Sequence, residues 1–256
     1  MIIKSKTIIQ SLWIGGSLST VERLSIMSFL KNDCEFHLYI YDEVENIPEG
    51  VIIKDASDIL SRDKIFKYTC NGSYAGFSNL FRYKLLYDKG GYWSDVDIIC
   101  LRPILIKEDN VFCAQGVRGV RSFARRYFFN IPNVNNCFIK TPAGSSIMKY
   151  CFDESSKVNT KKLKQTVTGP LLLSKAVKKF NMTESILSVR KICPINYWVI
   201  ERVFNTKEDM SALENSIGLH LFSSVLNQKK INVDDKFPEE SIYETLKMIF
   251  LNREGR

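Results

Sequence analysis

The sequence predicts an α/β layered fold, and three observations predict it. Short β-branched and apolar runs alternate with segments of helical periodicity, the pattern of strands packed between helices. Paired glycines, Gly15-Gly16 and Gly90-Gly91, stand where a strand or a helix must end. The chain is 256 residues long and 45% hydrophobic, enough for a sizeable core, and shows no internal repeat or low-complexity linker. A single domain over residues 1–256 is expected, with a core of about residues 7–225 and a C-terminal amphipathic helix at about 239–252.

The elements follow in order. Thr7 to Ile14 reads as a first strand closing at Gly15-Gly16, and Ser19 opens a helix to about Lys31 through the capping box Ser19-x-x-Glu22. Glu35 to Tyr41 alternates as a second strand, Ile52-Ile53 suggests a third, and Asp55 starts a short helix. Ser73 to Lys89 has a strong helical pattern with Phe77, Phe81 and Leu85 facing the core, and Gly90-Gly91 stops it. A bounded strand follows, from the glycine pair toward Pro103, carrying Asp95 and Asp97. Residues 110 to 140 read as short strands and loops, including Val111 to Gln115 and Cys137 to Ile139. Pro142 to Asp153 fits a helix, and Gly169-Pro170 opens another that reaches about Phe180. Pro238 precedes the last helix, whose apolar face is Ile242, Leu246, Ile249 and Phe250.

Several classes are disfavoured. No run of 18 apolar residues exists, and Met1 to Lys6 lacks the apolar core of a signal peptide, so a cytoplasmic chain is expected. Seven cysteines are scattered singly without a Cys-x-x-Cys, which argues for reduced thiols and against a thiolate metal site. No glycine-rich dinucleotide or P-loop signature follows the first strand. The net charge of +8 suits phosphorylated substrates or an anionic membrane face, and no nucleic-acid partner is expected. Arg118, Arg121, Arg125 and Arg126, followed by Tyr127, Phe128 and Phe129, form a candidate lipid-phosphate surface; Lys157, Lys161, Lys162 and Lys164 form a second basic cluster. A solvated face is the plain reading of both.

The chemistry concentrates at Asp95 and Asp97. On an extended chain, side chains two apart share a face. Two carboxylates among Val96, Ile98 and Ile99 repel each other and resist burial, and a hard divalent cation removes both problems. Aspartates that simply face water are the alternative. Ser78, Asn79 and Arg82 share a helix face, and Arg82 can pair with Asp95 or with a ligand phosphate. Trp13 before Gly15-Gly16 can stack a flat base or sit in the core. His37, in an alternating strand, reads as structural. His220 can be a metal ligand, a diphosphate contact or a buried structural residue.

Taken in order, Trp13-Ile14-Gly15-Gly16, Gly76-Phe77-Ser78-Asn79-Leu80-Phe81-Arg82-Tyr83 and Leu86-Tyr87-Asp88-Lys89-Gly90-Gly91-Tyr92-Trp93-Ser94-Asp95-Val96-Asp97 resemble the DXD-containing sugar-binding glycosyltransferases. That family includes Och1-like mannosyltransferases, α1,4-galactosyltransferases and the catalytic domains of clostridial glucosylating toxins. Asn135-Asn136, Thr168-Gly169-Pro170 and Gly218-Leu219-His220 fit the same pattern.

The resemblance implies a GT-A fold, a mixed nucleotide-sugar-binding sheet flanked by helices. It also implies a Mn²⁺- or Mg²⁺-dependent transfer from a nucleotide sugar, a UDP-sugar, with retention. Trp13 would stack the base beside Gly15, and Ser78, Asn79 and Arg82 would line the ribose and sugar. Asn135 or Asn136 would touch the sugar. Asp95 and Asp97 would hold the metal, with Arg82 the third catalytic candidate, and His220 would complete the metal set as a late lid residue. The family usually has Asp where this chain has Asn79, which leaves the donor sugar open.

A glycan or lipid-linked glycan in surface polysaccharide synthesis is the expected acceptor, with peripheral contact at the inner membrane face. The competing readings are a non-catalytic metal- or membrane-binding protein and a glycoside hydrolase.

Overall fold

The structure is a computed structural model and describes residues 6–69, 72–128, 131–160 and 167–251. Phe129, Lys161, Lys162 and Lys164 lie outside the described residues, as do the side chains of Arg121 and Arg125.

The N-terminal half alternates β1 (Thr7–Trp13), α1 (Thr20–Lys31), β2 (Cys34–Ile40), β3 (Ile52–Asp55), α2 (Ala75–Lys89) and β4 (Gly91–Ser94). The Ser19 amide donates to the Glu22 carboxylate at 2.7 Å, so the predicted capping box starts α1. Asp55 caps a short 3₁₀ turn by accepting from the Ser57 amide at 2.7 Å. Gly90 ends α2 at φ 65°, where an added Cβ would meet the Ala143 nitrogen at 2.3 Å.

Then follow β5 (Ile98–Cys100), β6 (Val111–Ala114), α3 (Val120–Phe128), β7 (Val134–Thr141), α4 (Ser146–Ser156), α5 (Pro170–Lys179), β8 (Ile186–Leu187) and α6 (Val189–Ile192). The last elements are β9 (Gly218–His220), α7 (Ser223–Gln228) and α8 (Ile242–Phe250).

One seven-stranded sheet has the order β3-β2-β1-β4-β7-β6-β8, and β5 and β9 form a separate pair. The first four strands are parallel, and β7 runs antiparallel to both β4 and β6. Strand order therefore reverses direction at β1, with β2 on one side and β4 on the other. In such sheets the crevice beyond the strand ends at the reversal is where ligands bind.

Both faces of the sheet are covered, which accounts for the near-continuous apolar strands. One layer joins Ile9, Leu24, Phe36 and Leu38 to Leu219, Leu246 and Phe250. The other joins Leu12, Phe77, Phe81, Leu85, Trp93 and Ile139 to Met148 and Leu173.

Four expectations are corrected. Asp95 and Asp97 are not on a strand: β4 ends at Ser94, and the pair lies in the turn before β5, where the Ile98 amide donates to the Asp95 carbonyl at 3.2 Å. They are brought together by chain reversal rather than by the pleat. The stretch 110–140, read as strands and loops, contains helix α3. Helix starts are later than expected, at Ala75 and Ser146, because an apolar pattern marks the buried face more sharply than the first turn. In α8, Ile249 is exposed and Tyr243 is buried instead, so the core-facing stripe is rotated.

Candidate functional site

A cleft of about 920 Å³ opens beyond the ends of β1 and β4. Trp13, Ser78, Asn79, Arg82, Asp95, Asp97, Asn135, Asn136 and His220 all line it. Gly15 does not; it backs the Trp13 indole, where a Cβ would meet Nε1 at 3.1 Å. A side chain at Gly15 would therefore crowd the indole edge.

Asp95 is held from within the protein. Arg82 Nη1 lies 3.0 Å from its Oδ1, and the Trp93 indole donates to the same oxygen at 2.8 Å. The Asp95 amide donates to the Cys137 carbonyl at 2.7 Å, tying the turn to β7. Arg82 is itself locked: Nε donates to the Ser78 carbonyl at 3.2 Å and Nη2 to Ser78 Oγ at 3.0 Å. Nη1 also donates to the Asn136 carbonyl, and the guanidinium lies 4.8 Å from the Trp93 ring centroid. The Arg82–Asp95 pair is one of the two partnerships the sequence left open for Arg82. Four of its five N–H groups are aimed at protein acceptors, so the guanidinium is held in place and fixes Asp95. Burial raises the Asp95 pKa, Arg82 lowers it and Asp97 raises it; the net direction is upward.

Asp97 is built differently. Its Oδ2 accepts from the Ser223 amide at 2.8 Å, and its carbonyl accepts from the Leu221 amide at 2.9 Å. Its Oδ1 lies 3.2 Å from His220 Nε2 yet is buried without a well-aligned hydrogen bond. An unsatisfied buried carboxylate oxygen is costly unless a cation meets it. Burial pushes Asp97 up, but the His220 charge and the bonds from His220 and Ser223 outweigh it and hold it at about 2. Burial lowers His220, and Asp97 outweighs that to raise it. One oxygen of each aspartate and one nitrogen of His220 lie within 4.8 Å of one another. Two carboxylates and an imidazole at that spacing fit Mn²⁺ or Mg²⁺, which take oxygen ligands and leave positions for a diphosphate.

His220 reaches the turn through non-local pairing: Ile98 on β5 is opposite His220 on β9. Its ring stacks on Phe222 at 3.8 Å, and Phe222 adopts the left-handed conformation at φ 53°. For a bulky residue that conformation is strained and persists only where the surroundings impose it. Pairing of β9 with β5 places His220 against Asp97. His37 behaves as expected, 2.5 Å from Glu35.

Amides form the opposite wall. Asn136 Nδ2 donates to Asn79 Oδ1 at 2.7 Å, and Asn79 Nδ2 donates to Thr168 Oγ at 3.3 Å. Gly169 is required here, since a Cβ would come within 2.9 Å of Asn79 Nδ2. Asn135 donates to Gln115 at 2.9 Å and accepts from the Cys137 amide at 2.9 Å. Trp13 Nε1 is buried with no partner, a donor left for a ligand.

Sequence reasoning missed Ser223, Phe222 and Gln115 as site residues, and their local sequence carries no motif. Glu22 was read only as a helix cap, yet it also lines the cleft.

The arginine-aromatic segment is helix α3, with Val120, Tyr127 and Phe128 exposed at 85%, 63% and 80%. Gln115 and Ile131, which flank it, line the cleft. Arg118 lies 5.7 Å over Trp198, and Lys157 pairs with Glu154 at 2.7 Å. No helix among the described residues is long and apolar enough to cross a membrane.

Residues 19–115 match the family model described as "Glycosyltransferase sugar-binding region containing DXD motif". The matched segment holds Ser78, Asn79, Arg82, Asp95 and Asp97, but neither Trp13 nor His220. No curated protein matches the chain in sequence. Among solved structures, it is similar to the bifunctional glycosyltransferase WbbM, with TM-score 0.51, 11% identity, and coverage of 98% of this chain and 50% of that one. It is also similar to the glycosyltransferase GlyE of Streptococcus pneumoniae TIGR4, with TM-score 0.50, 13% identity, and coverage of 97% and 61%. The chain spans half of WbbM and under two thirds of GlyE. At such identities the likeness shows the fold. The match over residues 19–115 and the fold agree with the resemblance read from the motifs, that of a DXD-containing glycosyltransferase with a GT-A-type fold.

Proposed function

We propose that this DXD-type glycosyltransferase uses Mn²⁺ or Mg²⁺ to take a sugar from a UDP-sugar and attach it, with retention, to a glycan or lipid-linked glycan. The observation that carries the reading is the orphaned Oδ1 of Asp97 beside His220 and Asp95 at the floor of the cleft. A divalent cation bound there supplies charge stabilisation for the departing diphosphate.

The chain's own groups do the rest. Asp97 and His220, with Asp95 held in place by Arg82, provide the ligand atoms. Trp13 offers an indole face to the base and its free N–H to a ligand oxygen. The Asn79–Asn136–Thr168 chain, already hydrogen-bonded, presents fixed amide edges to sugar hydroxyls. Retention and the uracil base rest on the family resemblance alone.

A glycoside hydrolase fits poorly. It needs two carboxyls about 5 to 9.5 Å apart across the scissile bond. Here Asp95 and Asp97 converge on one point from one turn, with ligand oxygens within 4.8 Å. The exposed α3 beside the cleft, with its arginines, supports peripheral contact with an anionic membrane that carries a lipid-linked acceptor in surface polysaccharide synthesis. A cytoplasmic site at the inner membrane face is consistent with that contact.

The test is thermal shift with Mn²⁺ and UDP, separately and together. The reading predicts a shift with both that exceeds the sum of the two alone. No shift under any of the three conditions would overturn it in favour of a non-catalytic protein.

A further inference from the structure

Three thiols from distant parts of the chain meet behind the Asp97–His220 pair. Cys113 on β6 and Cys137 on β7 have sulfurs 3.4 Å apart. Cys193, just after α6, has its sulfur 3.9 Å from Nδ1 of His220. Ligand atoms of Cys137, Cys193 and His220 lie within 4.8 Å of one another, and Cys113 adjoins Cys137. All four side chains are buried, and the cysteines are free.

The backbone is shaped to make this meeting. Phe112 pairs with Ile139 and Cys113 with Asn135, so Asn136, Cys137 and Phe138 stand between the two pairs with no β6 residue opposite. Such bulges re-aim side chains. This one sends Asn136 toward the cleft and Cys137 to the thiols, while the Cys137 carbonyl holds the Asp95 amide. The absence of a Cys-x-x-Cys argued against a thiolate site in the sequence. The fold instead assembles its donors from four separate elements, which spacing along the chain does not record.

We propose that Cys137, Cys193 and Nδ1 of His220 hold Zn²⁺, with the adjoining Cys113 turning in to complete a tetrahedral set, at a site distinct from the hard-cation site and joined to it through one imidazole. Ligands about 2.3 Å from a tetrahedral centre stand about 3.8 Å apart. The Cys193–His220 separation of 3.9 Å matches this, and the Cys113–Cys137 separation of 3.4 Å is near it. Thiolate and imidazole donors select zinc over the hard cations that carboxylates hold.

On binding, three S–H bonds break, three S–Zn bonds and one N–Zn bond form, and three protons pass to solvent; no atom changes oxidation state. When no cation is held by the aspartates, Nε2 keeps its hydrogen and faces Asp97, the carboxylate–histidine–zinc arrangement that fixes a ring's tautomer and orientation. Filling the aspartate position as well would take the Nε2 hydrogen, a fourth proton passing to solvent, and the second cation would offset the negative charge of the thiolates and the imidazolate. The zinc fastens β6 and β7 of the main sheet to the strand that carries His220. With no exposed member in the cluster, the ion enters as the chain folds.

The test is metal content and a cobalt spectrum, neither of which depends on activity. The full chain is refolded with Zn²⁺, desalted and analysed by mass spectrometry for metal, alongside Asp97→Asn, Cys137→Ser and Cys193→Ser. The expected result is about one zinc per chain in the wild type and in Asp97→Asn, falling at least roughly tenfold in each cysteine variant. Refolding with Co²⁺ should give the thiolate-to-cobalt charge-transfer band of a tetrahedral site. A wild-type protein without zinc and without that band overturns the proposal, even if the cysteine variants fail to fold. Zinc lost from Asp97→Asn but kept by the cysteine variants also overturns it, by placing the ion at the aspartates.

Discussion

The two walls of the aspartate turn are built on opposite principles. On the Arg82 wall, Asp95 receives a guanidinium at 3.0 Å and an indole N–H at 2.8 Å. On the His220 wall, Asp97 keeps one buried oxygen without an aligned donor. One carboxylate is bonded by a fixed arginine and indole; the other faces a histidine through an oxygen that has an ion-pair partner but no aligned hydrogen bond. The same residue type, two positions apart, is a fixture on one side and an open valence on the other. The difference separates what holds the turn from what the turn is for, and three substitutions test whether it is real.

The largest effect is expected at Asp97. Asp97→Ala should abolish cation-dependent turnover, a loss of several kcal/mol at the transition state, with the circular dichroism of the wild type retained. Donor hydrolysis near the wild-type rate would remove the aspartate from the cation site. Arg82→Met should act chiefly on stability. It removes the guanidinium from the partly exposed Asp95 carboxylate and leaves the Trp93 N–H on it, a cost of about 2 kcal/mol, or a melting point lower by roughly 6 °C. A variant that melts with the wild type would show that the Arg82 wall does not hold the turn. Trp13→Ala lies outside both walls and should be milder. It should weaken UDP binding by about 1–3 kcal/mol with little change in maximal rate. Unchanged affinity, measured by calorimetry, would return Trp13 to the core.

The Arg82 wall was largely legible in the sequence and the His220 wall was not. Ser78 and Arg82 lie on one helix and Asp95 in the turn just after the strand it feeds, so closeness along the chain suffices to pair them. The cap of α1, the glycine stop of α2 and the proline start of α5 are local as well. His220 meets Asp97 only because β9 pairs with β5, and Ser223 holds Asp97 only because the chain then turns through Phe222. The β7 bulge that brings Asn136 and Cys137 to their places is equally non-local. Period-two alternation describes a strand but not its partner or its register. Helix α3 was missed because Val120, Tyr127 and Phe128 are exposed, so its described residues show no buried stripe. The sequence reading placed Asp95 and Asp97 together correctly but for the wrong reason, since a turn, not a pleat, aligns them.

The pH dependence of cation binding bears on the His220 wall with a definite sign. His220 is raised above its ordinary value by Asp97, against the lowering effect of burial. In the cation-free protein the ion pair therefore stabilises the fold fully below about pH 6.5 and loses that contribution as pH rises through the His220 pKa. The Asp97 contribution is present above 3.8 and lost as pH falls through about 2. Cation binding has the opposite dependence on His220, because the ion must displace the ring proton. The decisive measurement is calorimetric titration of Mn²⁺ into the UDP-loaded protein between about pH 6 and pH 8, repeated with Asp97→Asn. Affinity should strengthen as pH rises through the His220 transition and should be lost in Asp97→Asn. A Mn²⁺ affinity that is flat with pH and survives Asp97→Asn would contradict the assignment of this wall as the cation site.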